Sequence, residues 1–226
     1  VATAEASAAP PATPIAPAGI APQETPLPQG VGDLAQAERA LLDLWGLERS
    51  DSEAGLCVTA ARHGLECLRS RGDWDNLLHY NRPALLTLNR EGEARYVLLE
   101  TLDGQNATLR SEGASVTLPR AALDHYWRGE FRLLWRPHPL VLKTIGPFSS
   151  EQAVRWLGEA LDRFEGRESR EEVYRFDERM VERIRRLQRR QGLVVDGIAG
   201  PRTLSHLHAP YDTSPGPRLH DRQSVS

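Results

Sequence analysis

Lysine is almost missing from this sequence of 226 residues, because Lys143 is the one lysine among its 28 basic residues. A P-loop nucleotide site needs a lysine within a GxxxxGK[ST] motif, and no such motif is present. Cysteine is scarce too, since the chain has two and they form no CxxC pair. The seven histidines include no HExxH motif. The sequence therefore predicts no P-loop site, no metal centre and no cofactor.

A strong net charge and a long apolar run are also lacking. The formal net charge is -3, which gives no overall attraction to nucleic acid or to an anionic membrane. No apolar run approaches the roughly 18 to 20 residues that cross a bilayer. The first residue is Val rather than Met. We expect a soluble fragment or a processed product.

Both ends of the chain have the composition of unfolded segments. Residues 1–30 are rich in Ala and Pro and contain few large apolar groups, which cannot bury enough surface to offset chain entropy. We predict an extended linker there, and two interpretations stay open: a spacer from an envelope anchor, or a tail without a role. Residues 209–226, rich in Pro, Ser, Asp and Arg, predict a second disordered tail.

The first folded region, residues 31–140, has helix patterns before strand patterns, which predicts an α+β domain. Apolar residues recur at helical spacing over 34–45, and Gly46 ends that helix. A second helix is predicted over 52–63. The strand candidates, with a helix over 119–126 before the last of them, are 84–88, 95–102, 107–111, 115–118 and 131–135.

The second region, residues 141–208, has the pattern of three helices. Ser149 and Gln152 form a plausible capping pair for the first helix. The second helix begins at Asp177, and the third begins at Pro201, where proline loses no hydrogen bond.

The most informative stretch is LQRRQGLVVDGIAGPRTLSHL, residues 187–207. A helix leads into a turn at Asp-Gly, and Gly-Pro then starts another helix. The order QxxxGLxxDGixGpxT resembles the small peptidoglycan-binding domain of bacterial cell-wall hydrolases and envelope proteins. The matching positions are Gln188, Gly192, Leu193, Asp196, Gly197, Ile198, Gly200, Pro201, Thr203 and Leu204.

This resemblance implies that the ligand is peptidoglycan. We expect the turn and its flanking helices to form the wall-facing surface, through Gln188, Asp196, Gly197, Ile198, Thr203 and Leu204.

The region 31–140 resembles the papain-like peptidases that cleave double-glycine leader peptides, on the segments WG, GLECL, PALLTL and YVLLETL. That resemblance implies three roles: a Cys at the start of the first helix, a His on a strand, and an Asp or Asn that orients it. The corresponding positions hold Leu34 and Ala35, Arg95 and Tyr96, and Arg110 and Ser111. We therefore predict a catalytically degenerate domain, kept as a scaffold, with no catalytic residue.

The two cysteines, Cys57 and Cys67, allow three interpretations. In an oxidising compartment a return from helix to strand could bring them within bonding distance as a disulfide. They could instead be two buried, reduced thiols. In the third interpretation Cys57 is a catalytic thiolate activated by His63.

Five arginines stand close together at positions 183, 185, 186, 189 and 190. Helical spacing puts most of them on a solvated face with acidic residues just upstream, so the pattern does not favour nucleic acid as a partner. An arginine near a glycan site could also hold the carboxylate of a peptide stem.

Taken together, ALLDLWGL, NRPALLTL, ALDHYWRGEFRLLWRP and residues 187–207 resemble the periplasmic part of the general secretion pathway protein A family. The family implies an inner-membrane protein of type II secretion, with a cytoplasmic ATPase and one membrane span outside this sequence. It also implies general secretion pathway protein B and the secretin as partners. The periplasmic part would grip peptidoglycan, while the degenerate domain offers a protein-docking or homo-oligomerisation surface.

Two functions of different classes remain after these observations. The first is a non-catalytic cell-wall-binding assembly factor that helps to insert or position the secretin. The second is a cell-wall hydrolase or cysteine peptidase that the peptidoglycan-binding region targets to its substrate.

Overall fold

The computed structural model describes residues 32–48, 55–111, 113–168 and 173–220. The linker predicted for residues 1–30 lies outside the described residues. So do residues 221–226 and the start of the helix predicted over 52–63.

Helices and strands are mixed in the chain as far as Trp135, and helices alone follow. The helices are α1 (Leu34–Leu44), α2 (Leu56–Arg62), α3 (Trp74–Tyr80), α4 (Arg120–Asp124), α5 (Glu151–Glu165), α6 (Glu178–Arg190) and α7 (Pro201–His208). The strands are β1 (Glu66–Arg71), β2 (Ala84–Arg90), β3 (Glu93–Asp103), β4 (Asn106–Ser111), β5 (Ala114–Pro119) and β6 (Trp127–Trp135). Short 3-10 turns occupy Pro139–Leu142 and Ala209–Tyr211.

The strands form one antiparallel sheet in the order β1-β6-β2-β3-β4-β5. Successive side chains alternate between its faces. One face packs on α1 and α2 and carries Leu85, Leu98 and Leu134. The opposite face carries Leu86, Leu99 and Leu133. Burial of both faces explains why β2 begins as an unbroken apolar run, and the predicted α+β class is confirmed.

The helical region shares its core with the sheet. Leu157 of α5, Ile184 of α6 and Leu204 of α7 belong to the same buried cluster as Tyr80 of α3 and the second face of the sheet. The helical region therefore has no hydrophobic core separate from that of the sheet, and it is not expected to fold as it does here without the sheet.

Three local predictions differ from the structure. The residue that caps α5 is Ser150, whose hydroxyl accepts from the Ala153 N–H, one residue beyond the predicted cap. The helix predicted over 119–126 ends at Asp124, and Trp127 begins β6 instead of ending the helix. The prediction missed α3, although Asp73 and Asn76 form a capping box at its start.

The prediction of a disordered tail from residue 209 is wrong for residues 209–220. Asp212 lies 2.6 Å from the guanidinium of Arg82, whose side chain is 0% exposed. Arg82 also donates to the hydroxyl and carbonyl oxygens of Ser214. Farther on, Leu219 is completely buried and its carbonyl accepts from the Leu102 N–H. The segment 209–220 is ordered although it is rich in Pro and Ser, because the buried ion pair and Leu219 attach it to the sheet region.

Candidate functional site at the Asp-Gly turn and the neighbouring cleft

Gln188 holds the Asp-Gly turn together from inside. Its side-chain nitrogen lies 2.7 Å from Asp196 Oδ1, 3.2 Å from the Ile198 carbonyl and 3.2 Å from Thr203 Oγ1. Its side-chain oxygen accepts from the Gly197 N–H at 2.9 Å. One buried amide thus connects α6, the turn and α7, and it satisfies polar groups that water cannot reach.

Glycine is required at position 197 for two reasons. Its φ is +77°, a conformation that residues with a Cβ rarely adopt. A Cβ there would also lie 2.9 Å from Val181 Cγ1 and 3.1 Å from Arg185 Nε. The Asp196 carboxylate caps the same turn, and hydrogen bonds from the Ile198 N–H and the Gln188 side chain lower the pKa of Asp196.

The predicted wall-facing surface is corrected by these contacts. Gln188 is 1% exposed, Thr203 5% and Leu204 0%, and Gly197 is buried as well. Of the six predicted residues, Asp196 and Ile198 are the two at the surface. The motif is mainly internal because its polar members bond to one another and its leucine fills the core. Its residue order is thus explained by the internal structure of the turn, and Asp196 and Ile198 are its members at the surface.

The turn presents aliphatic side chains to solvent. Val194 is 72% exposed, Val195 45% and Ile198 52%. They stand between α6 and α7, and the segment is anchored by the hydrogen bond from the Ile145 N–H to the Ala199 carbonyl. The result is a small apolar tip on a rigid support.

A cleft of about 630 Å³ opens where the helical region meets the sheet region. One wall comes from the end of β1 and from α3, with Arg71, Asp73, Asp75 and Asn76. The other wall comes from the end of α6 and from α7, with Arg190 and Arg202. Concave sites between two structural units are common places for ligands. No local sequence pattern predicts this cleft, because residues about 120 positions apart form its walls.

His79, Tyr80 and His206 form the base of the cleft, and burial controls their protonation. Burial, together with the charges of His79 and Arg202, lowers the pKa of His206 to about 4. Burial also lowers the pKa of His79, although its hydrogen bond with the His206 carbonyl, at 2.8 Å, opposes that shift. Burial raises the pKa of Tyr80 to about 12. The base of the cleft is therefore uncharged at neutral pH, and its charges come from the walls.

The five clustered arginines of α6 divide into two groups. Four of them pair with carboxylates that do not line the cleft: Arg183, Arg185, Arg186 and Arg189. The fifth, Arg190, lines the cleft, and its guanidinium carbon lies 4.6 Å from the centre of the Phe164 ring. Within the described parts of the chain, no carboxylate pairs with Arg190 or with Arg202. Arg71, on the opposite wall, also has no carboxylate partner among the described residues, and its Nε donates to the Arg128 carbonyl. The wall formed by α6 and α7 thus has two cations with unused donors.

The positions that match the three peptidase roles are occupied by residues of other chemical types. Leu34 and Ala35 begin α1. Arg95 lies near this helix start, since its guanidinium would be 3.3 Å from a Cβ added to Gly32. Arg95 pairs with Glu93 at 2.5 Å. A guanidinium stays protonated at any physiological pH and cannot act as a general base.

The third role falls on β4, where Arg110 forms an ion pair with Glu100 of β3. The other oxygen of that carboxylate accepts from the Ser115 hydroxyl at 2.6 Å. The Glu100 carboxylate therefore binds a cation and a hydroxyl group of the sheet itself. Ser111 is the last residue of β4.

Cys57 of α2 and Cys67 of β1 are joined in a disulfide, with Cα atoms 5.1 Å apart. The strand return after Gly64, whose φ is +68°, brings the two segments together. In this state Cys57 has no thiol to act as a nucleophile with His63.

No group of three or more His, Cys, Asp or Glu side chains is arranged to hold a metal ion in the described segments. Nor does any described helix combine the length and apolar character that crossing a membrane requires.

The fold and the turn define a two-part class, in which an α+β peptidase-like domain is followed by a peptidoglycan-binding helical domain. Residues 29–137 match the family "GspA, peptidase C39-like domain", and residues 150–207 match the family "Putative peptidoglycan binding domain". The chain is homologous to general secretion pathway protein A, and it combines that protein's C39-like domain with a peptidoglycan-binding domain.

Relatives of known name support this assignment. General secretion pathway protein A of Aeromonas hydrophila is 32% identical over 203 residues, which cover 88% of this chain and 37% of the relative. Putative general secretion pathway protein A of Escherichia coli K12 is 27% identical over 173 residues, covering 76% of this chain and 35% of the relative. This chain thus spans little more than a third of the length of these relatives.

A solved structure is similar to most of the chain. It is a periplasmic domain of the EpsAB fusion protein of the Vibrio vulnificus type II secretion system, with 27% sequence identity and a TM-score of 0.48. The match covers 82% of both chains.

Proposed function

We propose that this protein is a non-catalytic, peptidoglycan-binding part of a type II secretion assembly factor that helps to insert or position the secretin. The observation that carries the proposal is the cleft between the two regions, where Arg190 and Arg202 lie unpaired beside the intact Asp-Gly turn. A peptidoglycan-binding domain that keeps its internal scaffold and borders an open charged cleft is suited to hold a wall fragment.

Absence of catalysis is supported by what occupies the peptidase-like positions. Leu34 and Ala35 cannot supply a thiolate, and Arg95 and Arg110 are held in ion pairs rather than poised as bases. Catalysis of this type needs a nucleophile, a base and an orienting group in mutual contact. We therefore assign the domain a scaffold role.

A periplasmic location is supported by the disulfide between Cys57 and Cys67, since such bonds persist in oxidising compartments. The assembly role and the partners, general secretion pathway protein B and the secretin, come from homology to general secretion pathway protein A. The exposed aliphatic tip at Val194 and Ile198 and the outer surface of the C39-like domain remain available for such partners or for a second copy of the chain.

Co-sedimentation with purified sacculi tests the proposal. The whole chain is used, because the helical region shares its core with the sheet. We expect the protein to pellet with sacculi and to stay in the supernatant without them. Failure to pellet at micromolar concentrations would count decisively against wall binding.

The same samples test the enzymatic alternative. Soluble fragments released from the sacculi, measured by chromatography, would favour a hydrolase. We expect none from the unaltered protein. If fragments are released and Cys57→Ser abolishes the release, the non-catalytic assignment is wrong.

A further inference from the structure

Arg190 and Arg202 face a wall whose charged residues are two carboxylates, Asp73 and Asp75, and one cation, Arg71. Asp73 and Asp75, at the start of α3, line the cleft across from Arg190 and Arg202. The Asp73 carboxylate accepts the Asn76 N–H at 2.9 Å, so it is held in place. A cleft with cations on one wall and carboxylates on the other suits a ligand that carries both signs of charge.

Arg202 lines the cleft together with Tyr80 and His206 of its base. Its charge lowers the pKa of His206 and opposes the rise in the pKa of Tyr80. Because those rings are uncharged at neutral pH, a carboxylate that enters would find its cationic partners on the walls. Arg190 and Arg202 share one wall, whereas Arg71 stands beside the carboxylates of the other.

Aromatic rings in the cleft are turned inward. Tyr80 is 4% exposed and Phe131 is 2% exposed. Each packs against other rings of the core, with the centres of Tyr80 and Phe131 6.4 Å apart. Neither ring offers a free face on which a sugar could stack, so the lining favours a charged, peptide-like ligand over a sugar.

We infer that the cleft binds the peptide stem of peptidoglycan, and not its glycan strand, with stem carboxylates held by Arg190 and Arg202. This inference rests on the proposed function. A stem peptide carries free carboxylates and, in its diamino residue, a free ammonium group. The carboxylates match the arginine wall, and the ammonium group matches Asp73 and Asp75.

Fragments of the sacculus separate peptide from glycan binding. An N-acetylmuramoyl-L-alanine amidase cuts the stems, and with them the cross-links, from the glycan, which leaves soluble glycan strands without stems. We expect the protein to pellet with intact sacculi and to stay bound to them when the stem-free glycan strands are added in excess as a competitor. The tetrapeptide stem released by the amidase, titrated calorimetrically into the protein, is expected to bind on its own.

Variants locate the interaction. Arg190→Gln and Arg202→Gln are each expected to weaken tetrapeptide binding at least about tenfold, because each removes charge-assisted hydrogen bonds to a carboxylate. Arg189→Gln is the matched control, since Arg189 adjoins Arg190 on α6 but pairs with Glu182 outside the cleft. The control is expected to bind as the unaltered protein does, and all three variants should keep its melting temperature within a few degrees.

The outcomes distinguish the two proposals. If the stem-free glycan strands release the protein from intact sacculi, or if the double variant Arg190→Gln/Arg202→Gln binds tetrapeptide normally, the stem assignment is wrong and wall binding stands. If the protein does not pellet with intact sacculi, wall binding is wrong and the stem assignment falls with it.

Discussion

Arginines occupy both the peptidase-like positions of the sheet region and the cleft beside the helical region, but in opposite states. Arg95 and Arg110 are each paired with a carboxylate on the same sheet. Arg190 and Arg202 have no carboxylate partner in the described structure. A paired arginine has satisfied its charge within the fold, whereas an unpaired one in a concave site retains donors for a ligand.

The comparison shows why a count of basic residues is a poor guide to function. The α6 cluster suggested a charged surface, yet four of its five members form ion pairs with three neighbouring acids, Asp162, Glu165 and Glu182. What matters is which guanidinium groups stay unpaired and whether they share a cleft. The following predictions test that distinction, beginning with the arginine that is paired most completely.

Arg82→Met should cause the largest loss of stability. Arg82 is fully buried against Asp212, and hydrogen bonds from Ser214 and Arg82 outweigh burial to lower the pKa of that carboxylate. Removing the cation takes the closest partner from a buried carboxylate and leaves it with the more distant Arg218, at 3.7 Å, which costs about 3 to 4 kcal/mol. Urea unfolding measures the change. The exposed Arg39→Met is the control and is expected to change the free energy of unfolding by less than about 0.5 kcal/mol.

A double variant, Arg82→Met with Asp212→Leu, sharpens this test. It removes both charges, so it should recover much of the stability that the single change loses. Equal stability of the single variant and the unaltered protein would show that the segment 209–220 does not need this pair.

Lowering the pH from about 6.5 to about 4 should also destabilise the fold. The pKa of His206 falls from 6.5 to about 4 on folding, so the unfolded chain binds more protons across this range and the free energy of unfolding decreases as pH falls. The loss from this residue is about 3 kcal/mol. The lowered pKa values of His79 and His208 act in the same direction. Thermal melts from pH 7 to pH 4 measure it, and His206→Gln should flatten the profile.

Removing the disulfide should cost somewhat less. The double variant Cys57→Ser/Cys67→Ser opens a short loop, and we expect a loss of about 2 to 3 kcal/mol in the free energy of unfolding. Titration of thiols in unfolded protein, with and without reductant, checks the starting state. Two free thiols before reduction would contradict the bond and leave the reduced-cysteine interpretation.

Arg95→Gln and Arg110→Gln should have the smallest effects. Both arginines are partly exposed, at 42% and 34%, so each ion pair contributes less than about 1 kcal/mol. Neither change should alter binding to sacculi, because neither residue lines the cleft. If either change weakened binding as much as is expected for Arg190→Gln, the distinction between paired and unpaired arginines would not explain which of them bind the ligand.

Several elements could be predicted because their signals are local. The helix α1, the α6 start at Asp177 and the Pro201 start of α7 follow from spacing and caps that lie within a few residues. The strand β2 was found from its apolar run. The predicted wall-facing set was wrong in part, because a motif does not show whether a side chain such as Gln188 points to solvent or into the turn.

The sequence by itself determined the class of both regions and the presence of the Asp-Gly turn, since the hydrogen bonds that fix this turn join residues at most 15 positions apart. Only the tertiary structure decided the rest. Arg82 meets Asp212 across 130 positions, and His79 meets the His206 carbonyl across 127. No periodicity or cap encodes such distant pairings, so the ordered end of the chain, the cleft and the two unpaired arginines became visible once the chain was packed.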